Sequence, residues 1–77
     1  MADTLERVKR VVAETLRVDQ QRIEDNSRFV EDLGAESVQS IGLVAAFEEE
    51  FDIEMDEEAA LQVKTVSDAV GFIEGYL

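Results

Sequence analysis

The sequence predicts an all-α fold of four helical stretches, and three observations carry the prediction. Apolar residues recur at helical spacing in three longer stretches and one short one. Residues that favour helix N-termini, Asp3, Asp56 and Thr65, stand ahead of three of these stretches. Nothing competes: the chain has no proline, no alternating strand pattern, no internal repeat and no low-complexity tract.

The first helix is expected over about residues 3–17. Asp3-Thr4-Leu5-Glu6 has the form of an N-cap with an acid three residues on. Leu5, Val8, Val12 and Leu16 then share one face, with Val11 beside them, and Arg17 places a cation near the C-terminal end of the dipole. Residues 18–36 read as a long connection, rich in cap and turn formers such as Asp19, Asp25, Asn26, Ser27 and Gly34. Val18, Ile23, Phe29, Val30 and Leu33 make it too apolar for a free linker, so it is expected to pack against the helices. An ordered loop of this length is uncommon and often functional.

The second helix is expected from about Ser37 to Phe51, with Val38, Ile41, Leu43, Val44, Ala45, Phe47 and Phe51 forming a wide apolar stripe. Gly42 costs it roughly 1 kcal/mol relative to alanine. Glu48, Glu49 and Glu50 lie in its last turn, where the macrodipole disfavours anions. They are either a solvated polar end or a docking surface for basic partners. A short helix follows Asp56 over Glu57-Glu58-Ala59-Ala60-Leu61. The last starts after Thr65, where Thr65-Val66-Ser67-Asp68 resembles a capping box, and buries Val66, Ala69, Val70, Ile73 and Leu77.

Composition narrows the function. Seventy-seven residues make one small domain, 1–77, which buries only roughly 60% of its unfolded surface. With no cysteine there is neither a disulfide nor a thiolate metal site, so the apolar core must hold the fold. No segment approaches the ~20 apolar residues of a membrane span, and no signal peptide is legible, so a cytoplasmic location is expected. The formal net charge of −12 is unevenly placed. Acids and bases balance up to Arg28, and beyond it Lys64 is the only base. Nucleic acid is an unsuitable partner for such a chain, whereas basic proteins or divalent cations suit it.

Chemistry is equally restricted. Without histidine or cysteine the usual general base and thiol nucleophile are missing, and no carboxylate pair sits in an obviously dry setting, so an enzyme is not expected. The run Gly34-Ala35-Glu36-Ser37-Val38 instead puts one hydroxyl at the mouth of a helix. Ser37 there is a poor catalyst but a good handle for another enzyme to modify. Gly34 permits a tight or left-handed turn that leaves Ser37 exposed, and a phosphate on its oxygen would meet unpaired backbone N–H groups and the positive dipole end. The plainer alternative is that Ser37 merely caps or starts the helix.

These residues carry a resemblance. Phe29-Val30-Glu31-Asp32-Leu33-Gly34-Ala35, the Ser37 that follows, Leu43-Val44, Glu48-Glu49-Glu50-Phe51-Asp52, Asp56-Glu57-Glu58-Ala59 and Thr65-Val66 are collinear with the pattern of acyl carrier proteins. The resemblance covers nearly the whole chain. It implies a four-helix bundle with three longer helices and one short helix, and a 4′-phosphopantetheine arm esterified to Ser37 by a transferase that takes it from coenzyme A. The arm's thiol would hold acyl groups as thioesters for enzymes of fatty-acid, lipid or polyketide biosynthesis, with no catalysis by the carrier, which is expected to be monomeric. Partner enzymes with basic docking surfaces would grip Glu36, Gln39, Glu48 and Glu49. Between the second and fourth helices, Phe29, Leu43, Phe47, Met55, Leu61, Val63, Ala69 and Ile73 are the candidate lining of an acyl pocket.

Departures from the family pattern cluster around Ser37. The usual Asp before the serine is Glu36, the following Leu is Val38, the next Asp is Gln39, and Gly42 stands where bacterial carriers typically have Glu. Phe47 replaces a smaller aliphatic residue and Leu61 a polar one. A specialised carrier serving a dedicated synthase or ligase is the expectation. Two other classes compete. A non-covalent acidic helical adaptor would bind independently of Ser37. A calcium sensor fits poorly, because an EF-hand loop counted from Asp52 has Glu57 at its sixth position and Val63 at its twelfth.

Overall fold

The computed structural model describes residues 3–77 and is all-helical in its regular elements. Four α-helices follow one another: α1 (Thr4–Leu16), α2 (Ser37–Phe51), α3 (Glu57–Ala60) and α4 (Val66–Glu74). A 3₁₀ turn at Gln20–Arg22 interrupts the α1–α2 connection. It was not foreseen from the sequence, although its cap is a residue type that favours turns: Asp19 Oδ1 accepts from the Gln21 N–H at 2.9 Å.

The caps explain where the helices begin and end. Asp3 lies outside α1 as its N-cap and accepts from Glu6 N–H at 2.9 Å. Arg17 also lies outside, in a left-handed conformation (φ 57°) whose N–H returns to the Ala13 carbonyl. The helix therefore spans one residue less at each end than its apolar periodicity suggested, because capping residues leave helical φ/ψ. Asp56 caps α3 and Thr65 caps α4, the latter accepting from Asp68 N–H at 3.1 Å. Leu61 is the C-cap of α3 rather than its last residue. The fourth helix stops at Glu74, and Leu77 is 66% exposed instead of sharing its buried face.

α1 packs against both α2 and α4. Val8 and Val12 from α1 and Val66 and Ile73 from α4 are fully buried. Leu43, Phe47 and Phe51 of α2 pack into the same core, and so do Ile23, Phe29 and Ala35 of the long connection. Those three anchors give the apolar character of residues 18–36 its physical reason. Val30 of the same segment is exposed, contrary to expectation. An ionic clasp joins α1 to the end of α2: Glu50 pairs with both Arg7 and Arg10, and the Arg7 guanidinium also lies 4.3 Å from the Phe51 ring centroid.

Candidate functional site at the start of helix α2

The segment before α2 is folded on itself. The Asp32 and Leu33 N–H groups donate to the Arg28 carbonyl at 3.0 Å, Gly34 N–H donates to Val30 at 3.1 Å, and Ala35 N–H closes the turn onto Phe29 at 2.8 Å. The Asp32 carboxylate receives the Arg28 N–H at 2.8 Å and its guanidinium at 3.2 and 3.3 Å. That hydrogen-bonded guanidinium holds the Asp32 carboxyl below the usual carboxylate range and raises Arg28 in turn. A second tie fixes the loop to the start of α4. Arg28 and Thr65 form an antiparallel bridge, with Phe29 N–H on the Lys64 carbonyl and Val66 N–H on the Ser27 carbonyl, both at 3.0 Å.

This framework positions Ser37. Gly34 adopts φ +72°, Ala35 is buried, and the chain emerges at Glu36 in extended conformation. Ser37 is the first helical residue and is exposed; it starts α2 but does not cap it, since Glu36 holds the N-cap position. Gln39 Oε1 accepts the Glu36 N–H at 2.9 Å, one half of a capping box. Gln39, expected to contact partners, is thus engaged in building the helix start. The first turn of α2 contains no acid, and its leading N–H groups have no intrahelical carbonyl to meet. A phosphodiester on Ser37 Oγ fits that setting: the oxygen reaches solvent, the backbone donors and dipole favour the anion, and only Glu36 opposes it.

A cavity of about 590 Å³ opens beside Ser37, which is one of its lining residues. Phe29, Leu43, Phe47, Met55, Leu61, Val63, Ala69 and Ile73 all line it, so the structure brings the eight apolar candidates together. Sequence reasoning missed Val30, Ile41, Val44, Ala60 and Phe72 on the apolar wall, and Glu31, Ser40 and Lys64 among its polar members. Helical spacing carried a signal for Val44 and Phe72: Val44 stands two turns after Ser37 and nearly one turn before Phe47, and Phe72 follows Ala69 by nearly one turn. Lys64 and Glu31 reach the cavity only through the loop bridge, which no local pattern announces.

The three glutamates ending α2 have separate environments. Glu50 lies in the ionic clasp. Arg7, hydrogen-bonded to it, holds its carboxyl below the usual range; partial burial opposes this and Arg10 assists. Glu48 Oε2 accepts the Met55 N–H at 2.7 Å and so fixes the turn that follows the helix. Glu49 is exposed, as is Glu36 at the opposite end. Of the four expected partner contacts, therefore, Glu36 and Glu49 present open carboxylates, while Gln39 and Glu48 also serve the fold.

The comparisons agree with one another. A family model described as a phosphopantetheine attachment site matches residues 6–73. The acyl carrier protein of Phenylobacterium zucineum (strain HLK1) is 49% identical over 74 residues, covering 96% of this chain and 94% of that protein. That of Caulobacter vibrioides (strain NA1000 / CB15N) is 49% identical over 73 residues, covering 95% and 94%. Among solved structures, a "putative acyl carrier protein" from Mycobacterium tuberculosis superposes with a TM-score of 0.86 at 30% identity, over 95% of this chain and 97% of that one. Acyl carrier proteins are carriers rather than catalysts. Matched by the family model over most of its length and by relatives almost end to end, this chain belongs to the acyl carrier proteins, whose working form bears a covalently attached 4′-phosphopantetheine.

Proposed function

We propose that Ser37 is the residue that bears the 4′-phosphopantetheine arm. On this reading residues 1–77 act as one carrier unit that holds acyl intermediates for enzymes of fatty-acid, lipid or polyketide biosynthesis. The observation that carries the reading is the exposed Ser37 hydroxyl at the first position of α2, on the lining of a largely apolar cavity. When bound, the arm supplies a thiol that carries acyl groups as thioesters.

The chain's own residues hold and orient. Gly34 and the Arg28–Asp32 turn present Ser37 to solvent, and the free N–H groups of α2 stabilise negative charge on the ester. Phe29, Leu43, Phe47, Met55, Leu61, Val63, Ala69 and Ile73 offer an apolar wall on which an aliphatic chain buries area at about 25 cal/mol per Å². The transferase that installs the arm and the enzymes that load and unload it are the partners. The uncharged start of α2 supports a specialised carrier with a dedicated synthase or ligase, rather than one serving a general set of ketoacyl synthases. Activity with a general set equal to that of an ordinary carrier would count against that.

Intact mass after incubation with coenzyme A and a broad-specificity phosphopantetheinyl transferase tests the attachment. One added phosphopantetheine on the wild type and none on Ser37→Ala is expected. Addition that persists in Ser37→Ala moves the attachment elsewhere. For the cavity, NMR shifts of the eight wall residues are expected to change between holo and acylated protein, and identical spectra would remove the chain from the pocket.

A further inference from the structure

The cavity beside Ser37 is apolar in depth and polar at its opening. Leu43, Phe47, Ala69 and Ile73 on its lining are buried. Its polar lining residues are Glu31, Ser37, Ser40 and Lys64. None of these is buried: Ser40 is half-buried and the other three are exposed. A chain entering the cavity therefore meets a dry wall inside and charge at the edge.

The two charges on that edge are differently placed. Glu31 has a cation within reach, the Arg28 guanidinium 3.6 Å away, which it shares with Asp32. Lys64, the only base after Arg28, makes no ion pair among the described residues. Neither its ammonium nor the Ser40 hydroxyl donates a hydrogen bond there. The Lys64 backbone, by contrast, is fixed. Its carbonyl accepts the Phe29 N–H at 3.0 Å, next to the bridge between Arg28 and Thr65. A lysine stem lies readily along apolar surface while its head stays in water. Lys64 is thus a cation anchored at its root, unpartnered at its tip and set on the edge of an apolar cavity.

We propose that Lys64 selects the cargo: acyl chains that end in a carboxylate, whose methylenes lie on the apolar wall and whose far end returns to the opening to pair with the ammonium. The inference rests on Ser37 bearing the arm. The class of cargo follows from what each part of the lining accepts. A plain alkyl chain uses the wall and leaves Lys64 without a partner. An ionised carboxylate cannot rest on the apolar floor, because burying an unpaired charge is costly. It ends where water and a counter-ion are. There Lys64 offers three donors and Ser40 one. A hydrogen bond between ionised groups is roughly twice as strong as one between neutral groups, which favours a carboxylate over a hydroxyl or keto oxygen at the same place. The formal net charge of −12 repels a free anion. The cargo does not arrive free, however: its tether holds it near the edge at high effective concentration, and salt screens charges more than about 10 Å away at 0.1 M. Glu31 is the opposing charge on the lining, and Arg28 moderates it.

The test compares protein loaded with octanoyl and with suberoyl, a chain of the same length that ends in a free carboxylate. Both are transferred with the phosphopantetheine arm from the corresponding coenzyme A thioesters, and loading is read by intact mass. Lys64→Met removes the charge and keeps the stem, Lys64→Arg keeps the charge, and circular dichroism verifies folding. Should the methionine variant lose its fold, Lys64→Gln takes its place. Cleavage of the thioester by hydroxylamine, which is uncharged near neutral pH, measures how firmly the cargo is held. NMR of an isotope-labelled terminal carboxyl, followed through a pH titration, reports the charge beside it. Suberoyl is expected to be cleaved about threefold faster from Lys64→Met than from wild type, the size of one exposed ion pair. Octanoyl should leave both at the same rate, and Lys64→Arg should behave as wild type. Loss of the cation should raise the pKa of the suberoyl carboxyl by about half a unit, since an opposite charge favours the ionised form. Glu31→Gln should hold suberoyl at least as firmly as wild type. Identical cleavage and titration in wild type and Lys64→Met overturn the proposal. So does an octanoyl thioester that responds to Lys64→Met as strongly as suberoyl, which would reduce Lys64 to a surface on which any chain packs. A wild type that gains no mass, or a Ser37→Ala variant that still gains it, overturns the attachment reading itself, and this inference with it.

Discussion

Gly34 holds φ +72°, a left-handed backbone that side-chain-bearing residues adopt only at a cost. No heavy atom lies within 4 Å of where its Cβ would stand, so crowding plays no part in the requirement. Gly34→Ala is therefore expected to destabilise by about 1 kcal/mol through conformation alone, lowering Tm by about 4–8 °C. Thermal unfolding followed by circular dichroism measures it, and an unchanged Tm would show that the turn relaxes. Gln39 makes a different residue-level point. Its amide oxygen accepts the Glu36 N–H, so Gln39→Ala should cost roughly 0.5–1 kcal/mol of stability. A variant of full stability but weakened partner binding would return Gln39 to a docking role. Neither the accepted hydrogen bond nor its consequence is legible from residue type, because a glutamine three residues after Glu36 suits solvent, a partner or a cap equally well.

At the scale of elements, the acidic end of α2 is an apparent error of design that packing resolves. A helix C-terminus disfavours anions, yet Glu48, Glu49 and Glu50 stand there. Two of the three have specific partners: Glu50 binds α1 through Arg7 and Arg10, and Glu48 satisfies a backbone donor of the following turn. Since the Arg7 hydrogen bond lowers the folded-state pKa of Glu50, its contribution is present above the unfolded value near 4.5. It fades as the pH falls through the lower folded-state value. Glu50→Gln should then destabilise at neutral pH, with the gap to wild type closing well below pH 4.5. Urea unfolding of both proteins at the two pH values decides the matter; a gap that persists in acid would mean that packing on Phe51, and not charge, is what the clasp contributes. Helix existence and most boundaries were readable because capping is a local matter of one side chain and the next few N–H groups. The antiparallel bridge between Arg28 and Thr65 was not, because it joins segments far apart in sequence.

For the whole molecule the governing quantity is charge. The excess of acids lies after Arg28, and the ion pairs that offset it among the described residues draw on bases of the first part: Arg7, Arg10 and Arg28. Self-repulsion on this scale weakens a compact state and is screened by salt, with a Debye length of about 10 Å at 0.1 M. Added sodium chloride is expected to raise Tm, and a magnesium salt to do so at lower concentration. A Tm that falls with salt would mean that the few ion pairs outweigh the general repulsion.

What the sequence determined by itself is what short-range physics controls: the helical elements, their caps, the placement of Ser37 at the start of α2, and the apolar faces of α1 and α4. Those faces are narrow stripes bounded by charge, so periodicity points to the core unaided. α2 is different. From Ser37 to Phe47 it offers no charged residue to mark an outside, and the expected stripe included Val38, Ile41 and Ala45, all of which are exposed. Only the positions of α1, α4 and the long loop decide that Leu43, Val44, Phe47 and Phe51 turn inward. The same packing brings eight separated apolar residues to one cavity beside Ser37 and leaves Val38 and Ile41 facing water. A side chain's neighbours across the fold, unlike its neighbours along the chain, exist only once the helices have docked.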